Sequence, residues 1–329
     1  MFQDFPSLLV VIVNYRTPQL TINCLNSLSS EVSSLSGVKV AVVDNDSGDD
    51  SLEQINNAIH TEGWSEWASL IASSHNGGYA FGNNLAIRPA LGSANSPTYF
   101  YLLNPDTEVR PGALKTLVDF MDQHQEVGIA GSSLEVEAGE VWPIAFRFPN
   151  IFSELDAGLR LGIVSKLLAN WQVSRTMNNQ VCQVDWLPGA SMMIRRQVFE
   201  SVGLMDEEYF LYYEETDYCL QARKAGWSCW YVPQSRVMHI AGQSTGVTEN
   251  TSKNKRLPKY LFESRQRYFV KNHGWLYAAL ADTVWILSFS FWRIRRLLQR
   301  KPDLDPQNYL WDFISHSVLL KPVGQFSKQ

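Results

Sequence analysis

Short apolar runs that alternate with amphipathic segments constrain the fold of this chain more than any other feature. The runs LLVVIV at 8–13 and VKVAVV at 38–43 have the length of buried strands. Between them, Thr17 can cap a helix whose first position is Pro18 and whose apolar residues form one stripe. A strand, a helix and a second strand in this order predict a β-α-β unit of a parallel sheet.

The same alternation continues along the chain. Further strands are predicted at 68–73, 99–103 and 127–131, and helical patterns separate them at 79–88 and 111–124. Strands that alternate with helices favour a mostly parallel central sheet that is covered by helices on both faces. The predicted fold class is therefore α/β.

Cysteine usage and the N-terminal segment both favour a reducing compartment. The four cysteines lie within apolar runs and show no C-x-x-C spacing, which disfavours metal clusters and disulfide frameworks. The segment MFQDFPSLLVVIVNY lacks a basic n-region and a small-residue cleavage site, so it predicts a buried strand and no signal peptide. We therefore expect a cytoplasmic location.

Polar residues directly follow four of the predicted strands. In open α/β sheets, ligands bind outside the carboxyl ends of the strands, so these residues are the first candidates for a site. Asp44 can accept hydrogen bonds from the imide N–H of uracil or thymine, or from a ribose hydroxyl; a turn or helix-cap role is the alternative. The four strand ends are Asn14-Tyr15, Asp44-Asn45, His75-Asn76-Gly77-Gly78 and Asn104-Pro105-Asp106.

Two of these strand ends have chemistry suited to a diphosphate. Glycines in the segment 75–84, HNGGYAFGNN, allow close approach of the backbone to a ligand, and the helix that follows favours anions. Asp106 can share Mg²⁺ or Mn²⁺ with phosphate oxygens, because hard cations take oxygen ligands. Turn chemistry alone, a glycine cap in the first case and Asn-Pro-Asp in the second, explains both segments equally well.

An acidic cluster begins another predicted helix. Glu214, Glu215 and Asp217 follow two tyrosines, and an apolar neighbourhood raises a carboxyl pKa toward that of a useful general base. Acidic residues in a first helical turn are also favoured by the helix dipole, without any catalytic role. His239, between apolar residues after a strand predicted at 227–232, is either a metal or phosphate ligand or a structural histidine.

In this order, the motifs resemble the family 2, GT-A type glycosyltransferases, and in particular a rhamnosyltransferase-like branch that builds bacterial surface polysaccharides. The resemblance covers roughly residues 7–246. It implies a Rossmann-like sheet and inverting transfer of a sugar from a dTDP- or UDP-linked donor to an acceptor hydroxyl. The motifs are VVIVNYRT, VVDNDSGD, SHNGGYAFGNN, LLNPDTEVRPGAL, WLPGASMMIRR, FLYYEETDYCLQARKAGW and VMHIAGQS.

The resemblance also implies roles for individual residues. Glu215 stands at the position of the general base, beside Glu214 and Asp217. Asp106 stands at the last position of the D-x-D metal motif, where Asn104 replaces the first aspartate, and His239 matches a histidine near the metal. The residues implied on the donor side are Asn14, Tyr15, Asp44, Asn45, Asn76, Gly77, Gly78, Asn83, Asn104, Trp186, Gly189 and Ala190.

We predict a catalytic domain over residues 1–250 and a basic, helical C-terminal region over residues 251–329. The nucleotide-binding half of the domain is predicted at about 1–132 and the acceptor-binding half at about 133–250. With 329 residues and 45% apolar composition, the chain can bury a core of that size.

The C-terminal region predicts an anionic partner. Residues 253–301 carry 12 Lys and Arg but only two acidic residues, a local charge of +10 in a chain of net charge −5. The apolar run at 275–292 could span a membrane, lie on its surface or pack in a core. Asp282 within it would cost roughly 2.5–3.5 kcal/mol at a bilayer centre, so we expect a helix on the inner face of the cell membrane. Nucleic acid is not expected, because the basic residues flank an apolar run.

Two alternatives to a transferase remain at this stage. A catalytically silent nucleotide-sugar-binding module at the membrane would fit the same motifs, because Asn104 and Glu215 differ from the family pattern. A nucleotidyltransferase also uses metal carboxylates, but the first strand is not followed by a glycine-rich basic loop. Substitution of Glu215 by Gln separates the first alternative from an enzyme.

Overall fold

The computed structural model describes residues 8–136, 141–142, 145–175, 177, 179–240 and 255–321. The chain divides into two compact units, which we call the sheet unit and the helical unit. The sheet unit comprises Met1–Phe146, Thr176–Phe210 and Glu214–Gly246. The helical unit comprises Arg147–Arg175, Leu211–Tyr213 and Val247–Gln329. The division into a domain at 1–250 and a tail at 251–329 stays a prediction.

All of the strands but β9 belong to the sheet unit. In chain order the strands are β1 (Leu8–Asn14), β2 (Val38–Asp44), β3 (Ala68–Ala72), β4 (Tyr99–Leu103), β5 (Thr107–Val109), β6 (Val127–Glu135), β7 (Val141–Trp142), β8 (Ala145–Phe146), β9 (Ser174–Arg175), β10 (Cys182–Val184), β11 (Ser191–Arg195) and β12 (Ser228–His239).

The helices divide between the two units, with α5, α6, α9, α10 and α11 in the helical unit. In chain order they are α1 (Pro18–Ser34), α2 (Ser51–Thr61), α3 (Gly78–Leu91), α4 (Ala113–Gln123), α5 (Ile151–Leu159), α6 (Gly162–Leu167), α7 (Arg196–Val202), α8 (Glu214–Lys224), α9 (Lys259–His273), α10 (Trp275–Leu298) and α11 (Tyr309–Ser315).

The sheet unit is built on one sheet of ten strands. Its main path runs β10-β12-β6-β11-β4-β1-β2-β3, with β5 paired to β12 and β7 paired to β6. Strand β11 is antiparallel to both of its neighbours, so β4, β6 and β12 share the direction of β1, β2 and β3. Six of the ten strands are thus parallel. The prediction of a mostly parallel α/β sheet flanked by helices is confirmed.

Complete burial explains why the first strand is a continuous apolar run. Every residue of β1 is buried, because strands β2 and β4 flank it in the sheet and α3 packs against it. The register pairs Asn14 at the end of β1 with Asp44 at the end of β2. The carboxyl ends of these two strands therefore lie level, which brings their polar residues together.

The helical unit has a core of aromatic side chains. Phe262 of α9, Trp285 and Phe289 of α10, and Phe313 of α11 form a buried cluster. Residues 147–175 contribute α5 and α6, two short helices that separate at Arg160, where φ is 49° and the left-handed backbone ends α5.

Asp282, which argued against burial of α10 in a bilayer, has a partner inside the helical unit. Its Oδ1 lies 2.5 Å from Nη1 of Arg265, and its Oδ2 accepts the backbone N–H of Val318 at 2.8 Å. Arg265 also contacts Oε2 of Glu154 at 2.7 Å. Within the described ranges, no helix is both long enough and apolar enough to cross a membrane.

Candidate active site

Asn14 and Asp44 form a hydrogen-bond network at the ends of β1 and β2. Asn14 Nδ2 donates to Asp44 Oδ1 at 2.7 Å, and the hydroxyl of Ser47 donates to the same oxygen at 2.6 Å. The backbone N–H of Ser47 donates to Asp44 Oδ2 at 3.1 Å. Asp44 is only 2% exposed, so these donors hold its carboxylate in one orientation.

Asn14 also accounts for the start of α1. The hydroxyls of Thr17 and Thr21 donate to Asn14 Oδ1 at 3.1 and 2.9 Å. Thr17 does occupy the N-cap position, but its side chain makes no capping hydrogen bond to the helix. The predicted capping role of that side chain is wrong, because the hydroxyl instead binds the amide that supports Asp44.

Arg16 is an exposed cation beside this network, and the sequence argument did not single it out. Its backbone lies in the left-handed region, with φ at 57°. Its N–H donates to Ser47 Oγ at 2.9 Å, its Nε donates to the Ser47 carbonyl at 2.8 Å, and its guanidinium lies 5.1 Å from the ring centroid of Tyr15. Ser47 thus joins Arg16 to Asp44. A serine three residues after an aspartate is typical of such a turn, and this spacing was the feature of the sequence that could have predicted the contact.

Asn45 connects the end of β2 to the glycine segment. Its Nδ2 donates to Asn76 Oδ1 at 2.9 Å and to the Gly78 carbonyl at 3.0 Å. Gly78 has a φ of 87°, and a Cβ there would lie 1.9 Å from the Phe210 carbonyl oxygen. That close approach lets the N–H of Tyr79 donate to Phe210 at 2.9 Å. A side chain at Gly78 would break this contact.

Contacts within α3 account for two of the predicted donor-side residues. Asn83 is fully buried, and its Nδ2 donates to the Tyr79 carbonyl one turn earlier. A Cβ at Gly77 would lie 2.4 Å from the ring of Phe81, so packing within α3 accounts for that glycine. Contact of either residue with a donor stays a prediction.

Asp106 and His239 lie side by side because β5 pairs with β12. The register places His239 opposite Thr107, and His239 Nε2 is 3.3 Å from Asp106 Oδ1. Asp106 Oδ1 and His239 Nδ1 are both buried, and neither makes a hydrogen bond to any part of the chain that the structure describes. The end of the motif that begins at Val237, from residue 241 onward, lies outside the described residues.

The pair fits a divalent cation whose remaining ligands come from the donor. Buried oxygen and nitrogen atoms that lack protein partners are suitable ligands, and Mg²⁺ commonly uses one or two protein groups plus phosphate oxygens. Among the described residues, no group of three or more His, Cys, Asp or Glu side chains is arranged so that it could hold a metal ion by itself. Asn104 is placed mainly through its backbone, which accepts from the hydroxyl of Thr107 and donates to the Ala190 carbonyl.

Glu215 lies in the first turn of α8, as predicted. Its Oε1 accepts the backbone N–H of Gly189 at 3.1 Å, while the hydroxyl of Tyr79 donates to the Gly189 carbonyl at 2.9 Å. The backbone of Gly189 is thus held both at its N–H and at its carbonyl. Burial raises the pKa of Glu215, since the charged form loses its hydration.

Tyr79 is a second residue that sequence reasoning did not single out, although it directly follows the glycine pair. Burial raises the pKa of its phenol well above the ordinary value, and the negative charges of Glu215, Glu214 and Asp106 raise it further. The phenol therefore remains a hydrogen-bond donor. Its contact with the Gly189 carbonyl links it, through the backbone of that residue, to the candidate base Glu215.

The remaining predicted residues support the site from its edges. Asp217 is buried and accepts a hydrogen bond from Gln221 one turn later, which fits a structural role. Trp186 stacks on Phe146, with ring centroids 4.3 Å apart. Ala190 is buried at the start of β11, where its carbonyl meets the end of β4. The structure thus gathers the predicted acidic, amide and glycine residues at one edge of the sheet.

Comparison with known proteins gives a family for this architecture. A family profile described as glycosyltransferase like family 2 matches residues 6–256. The N-acetylglucosaminyl-diphospho-decaprenol L-rhamnosyltransferase of Mycobacterium tuberculosis is 29% identical over 191 residues, which are 54% of this chain and 60% of that protein. Rhamnosyltransferase WbbL of Escherichia coli K12 is 28% identical over 175 residues, 50% of this chain and 62% of that protein. The chain therefore matches less than two thirds of the length of each relative.

A solved structure shows the same fold. GalNAc-T7, crystallised with UDP, GalNAc and Mn²⁺, superposes with a TM-score of 0.58 over 94% of this chain and 58% of that protein. Its sequence is 14% identical, so the likeness concerns the fold alone.

Proposed function

This chain belongs to glycosyltransferase family 2 and is a sugar-transfer enzyme, and from that premise we propose that it is an inverting rhamnosyltransferase. The donor is a dTDP- or UDP-linked sugar, and the acceptor is a hydroxyl of a glycan or lipid-linked intermediate in surface polysaccharide synthesis. The rhamnosyltransferases among its relatives support the choice of sugar. The lipid-linked acceptor named for the mycobacterial relative supports the choice of acceptor.

The observation that carries the proposal is the half-buried carboxylate of Glu215, whose Oε1 accepts the backbone N–H of Gly189. An inverting transfer needs one base that removes the acceptor proton while the hydroxyl oxygen attacks C1 from the face opposite the diphosphate. The raised pKa of Glu215 makes it a stronger base than an exposed glutamate. Tyr79 keeps its proton, so it orients the Gly189 peptide and does not compete for the acceptor proton.

The donor would lie along the carboxyl ends of the strands. We place its base and ribose at Asn14 and Asp44, whose carboxylate is already oriented by three local donors. Asp106 and His239 would hold Mg²⁺ or Mn²⁺, which when bound would stabilise the charge that develops on the leaving diphosphate. The burial of Asp106 and the 3.3 Å separation between its Oδ1 and His239 Nε2 support this assignment.

We also place the enzyme at the inner surface of the cell membrane, through its C-terminal region. A polyprenyl-linked acceptor resides in a bilayer, so an enzyme that uses one must work at the membrane surface. The concentration of Lys and Arg over residues 253–301 supports this location.

A donor panel tests the proposed function. The purified chain is incubated with Mn²⁺ and each common nucleotide-sugar, and released nucleoside diphosphate is measured with and without a membrane-lipid extract. We expect slow release from dTDP-rhamnose or one other donor, and faster release when the extract supplies an acceptor. Clear binding of UDP or dTDP without release from any donor would instead identify a silent binding module.

A further inference from the structure

Large apolar side chains are exposed mainly on the helical unit. Of the 18 such side chains that are exposed in the described parts of the chain, 16 belong to the helical unit and only Leu52 and Phe210 belong to the sheet unit. Single exposed apolar residues are ordinary, but a contiguous group of them marks a surface that contacts a partner or a membrane.

Helix α10 carries the longest continuous part of this surface. At 3.6 residues per turn, six of its apolar side chains fall within an arc of about 60° and extend over about 33 Å. We call them the α10 stripe, and each is between 51% and 81% exposed. The members of the α10 stripe are Leu276, Leu280, Leu287, Phe291, Ile294 and Leu298.

The opposite face of α10 packs against the core of the helical unit. Trp285 and Phe289 point into the aromatic cluster, and Asp282 pairs with Arg265 on the same side. The side chains of the α10 stripe therefore take no part in the core of the helical unit. A helix that is apolar on both faces needs a second apolar environment for the outer face.

The charges of the helical unit favour lipid as that environment. No charged side chain lies on the α10 stripe, whereas Lys271 before it and Arg300 and Lys301 after it are exposed. Cations at both ends of an apolar stripe match lipid phosphates on either side of the buried helix. Two copies that paired through this stripe would instead bring cationic ends together in either orientation.

Much of the formal positive charge is neutralised within the unit. Among the described residues of the segment 253–301, at least five Lys and Arg side chains form ion pairs with acidic side chains of the helical unit: Arg256, Lys259, Arg265, Arg293 and Arg296. Because their charges are paired, these residues attract anionic lipid head groups less strongly than the sequence suggests. Apolar contact must then supply most of the binding free energy.

We propose that the chain docks on lipid bilayers through the α10 stripe, with α10 parallel to the membrane surface and its outer face among the acyl chains. The inference rests on the proposed function, because a lipid-linked acceptor explains why the enzyme needs this face. It goes further by assigning the contact to six named side chains and by making apolar insertion, not the attraction of basic residues to anionic lipid, the main source of affinity.

Vesicle flotation of the full chain tests the proposal. The probes are vesicles of neutral phosphatidylcholine and vesicles that also contain phosphatidylglycerol, each at low and high salt. We expect binding to both, with little loss at high salt.

Leu287→Asp, at a position that is exposed in the chain, should weaken binding at least about tenfold, since it removes one leucine that would be buried in the lipid and adds a charge. Leu52→Asp, a matched change in the sheet unit, should leave binding unchanged.

Three results would overturn the proposal. They are unchanged vesicle binding by Leu287→Asp, binding that requires anionic lipid and disappears at high salt, and a dimer in solution that Leu287→Asp dissociates. The Arg300→Gln/Lys301→Gln variant measures the part due to charge and should cost less than Leu287→Asp. Because vesicle binding needs no sugar transfer, a failure of the docking proposal is distinguishable from a failure of the proposed enzymatic activity.

Discussion

The carboxylate of Glu215 accepts the backbone N–H of Gly189 across 3.1 Å, which joins the first turn of α8 to the loop before β11. A backbone donor cannot rotate away as a side chain can, so it fixes the direction of the carboxylate. A base must lie within hydrogen-bond reach of the proton that it removes. In the proposed reaction, with Glu215 as the base, this contact would set where the acceptor hydroxyl has to lie.

Replacement of Glu215 by Gln should lower kcat by about 10²–10⁴-fold, the usual contribution of a general base. The amide keeps the shape of the side chain but cannot take the acceptor proton, so the Kd of the donor should change little. Initial rates and donor titration measure the two quantities. Glu208→Gln, the same change at an exposed position, is the control, and wild-type rates in Glu215→Gln would contradict the assignment.

The rate should depend on pH through the same side chain. Burial raises the pKa of Glu215 above its ordinary value of 4.5, and only the ionised form acts as a base. The kcat of the transfer should therefore fall as pH drops through this raised pKa, at a higher pH than an exposed glutamate would give. A profile of kcat against pH tests this, and an acidic limb at or below 4.5 would contradict it.

The contribution of Glu215 to the free energy of unfolding should depend on pH in the opposite direction to kcat: it should fall as pH rises. A carboxyl whose pKa is higher in the folded than in the unfolded chain stabilises the fold fully below its unfolded pKa, and this contribution is lost as pH rises through the folded pKa. Glu215→Gln should therefore be more stable than the wild type at neutral pH, by about 1.4 kcal/mol for each unit of elevation. Urea unfolding should show the gain vanish below about pH 4, and a variant less stable at neutral pH would refute the prediction.

Divalent metal alone should stabilise the protein through Asp106 and His239. A ligand that binds only the folded state adds about 2.7 kcal/mol at a concentration of about 100 times Kd. Thermal unfolding with and without Mn²⁺ measures this, and Asp106→Asn should abolish the shift. Asp119→Asn removes an exposed carboxylate of α4 and should leave it intact. A shift of equal size in both variants would show that the metal binds elsewhere.

The ion pairs of Arg265 should contribute strongly to the stability of the helical unit. Arg265→Met would leave Glu154 and Asp282 buried without their cation, at a cost of about 3–5 kcal/mol in the free energy of unfolding. Lys259→Met, which breaks the more exposed pair with Glu263 on the same helix, should cost no more than about 1 kcal/mol. Equal effects in urea unfolding would mean that burial of the Arg265 cluster adds nothing.

The sequence by itself determined the strands β1, β2, β3, β4 and β6, the polar residues that follow the first four of them, and the first turn of α8. These features have local signatures, because a strand buried on both faces must be apolar throughout and its ligand-facing residues must follow it directly. Asn14, Asp44, Asp106 and Glu215 were all identified in this way. The motif order added the family, which neither composition nor periodicity could provide.

Only the tertiary structure decided which side chains meet. Tyr79 contacts the carbonyl of Gly189 and Glu215 contacts its N–H, although 110 residues separate Tyr79 from Gly189. Asp282 looked like an obstacle to an apolar environment until Arg265 was found beside it. Such contacts depend on how distant segments pack, and a linear pattern carries no information on the partner that a buried polar atom will find. The same reason explains why the outer face of α10 could be recognised only once its inner face was seen to be filled.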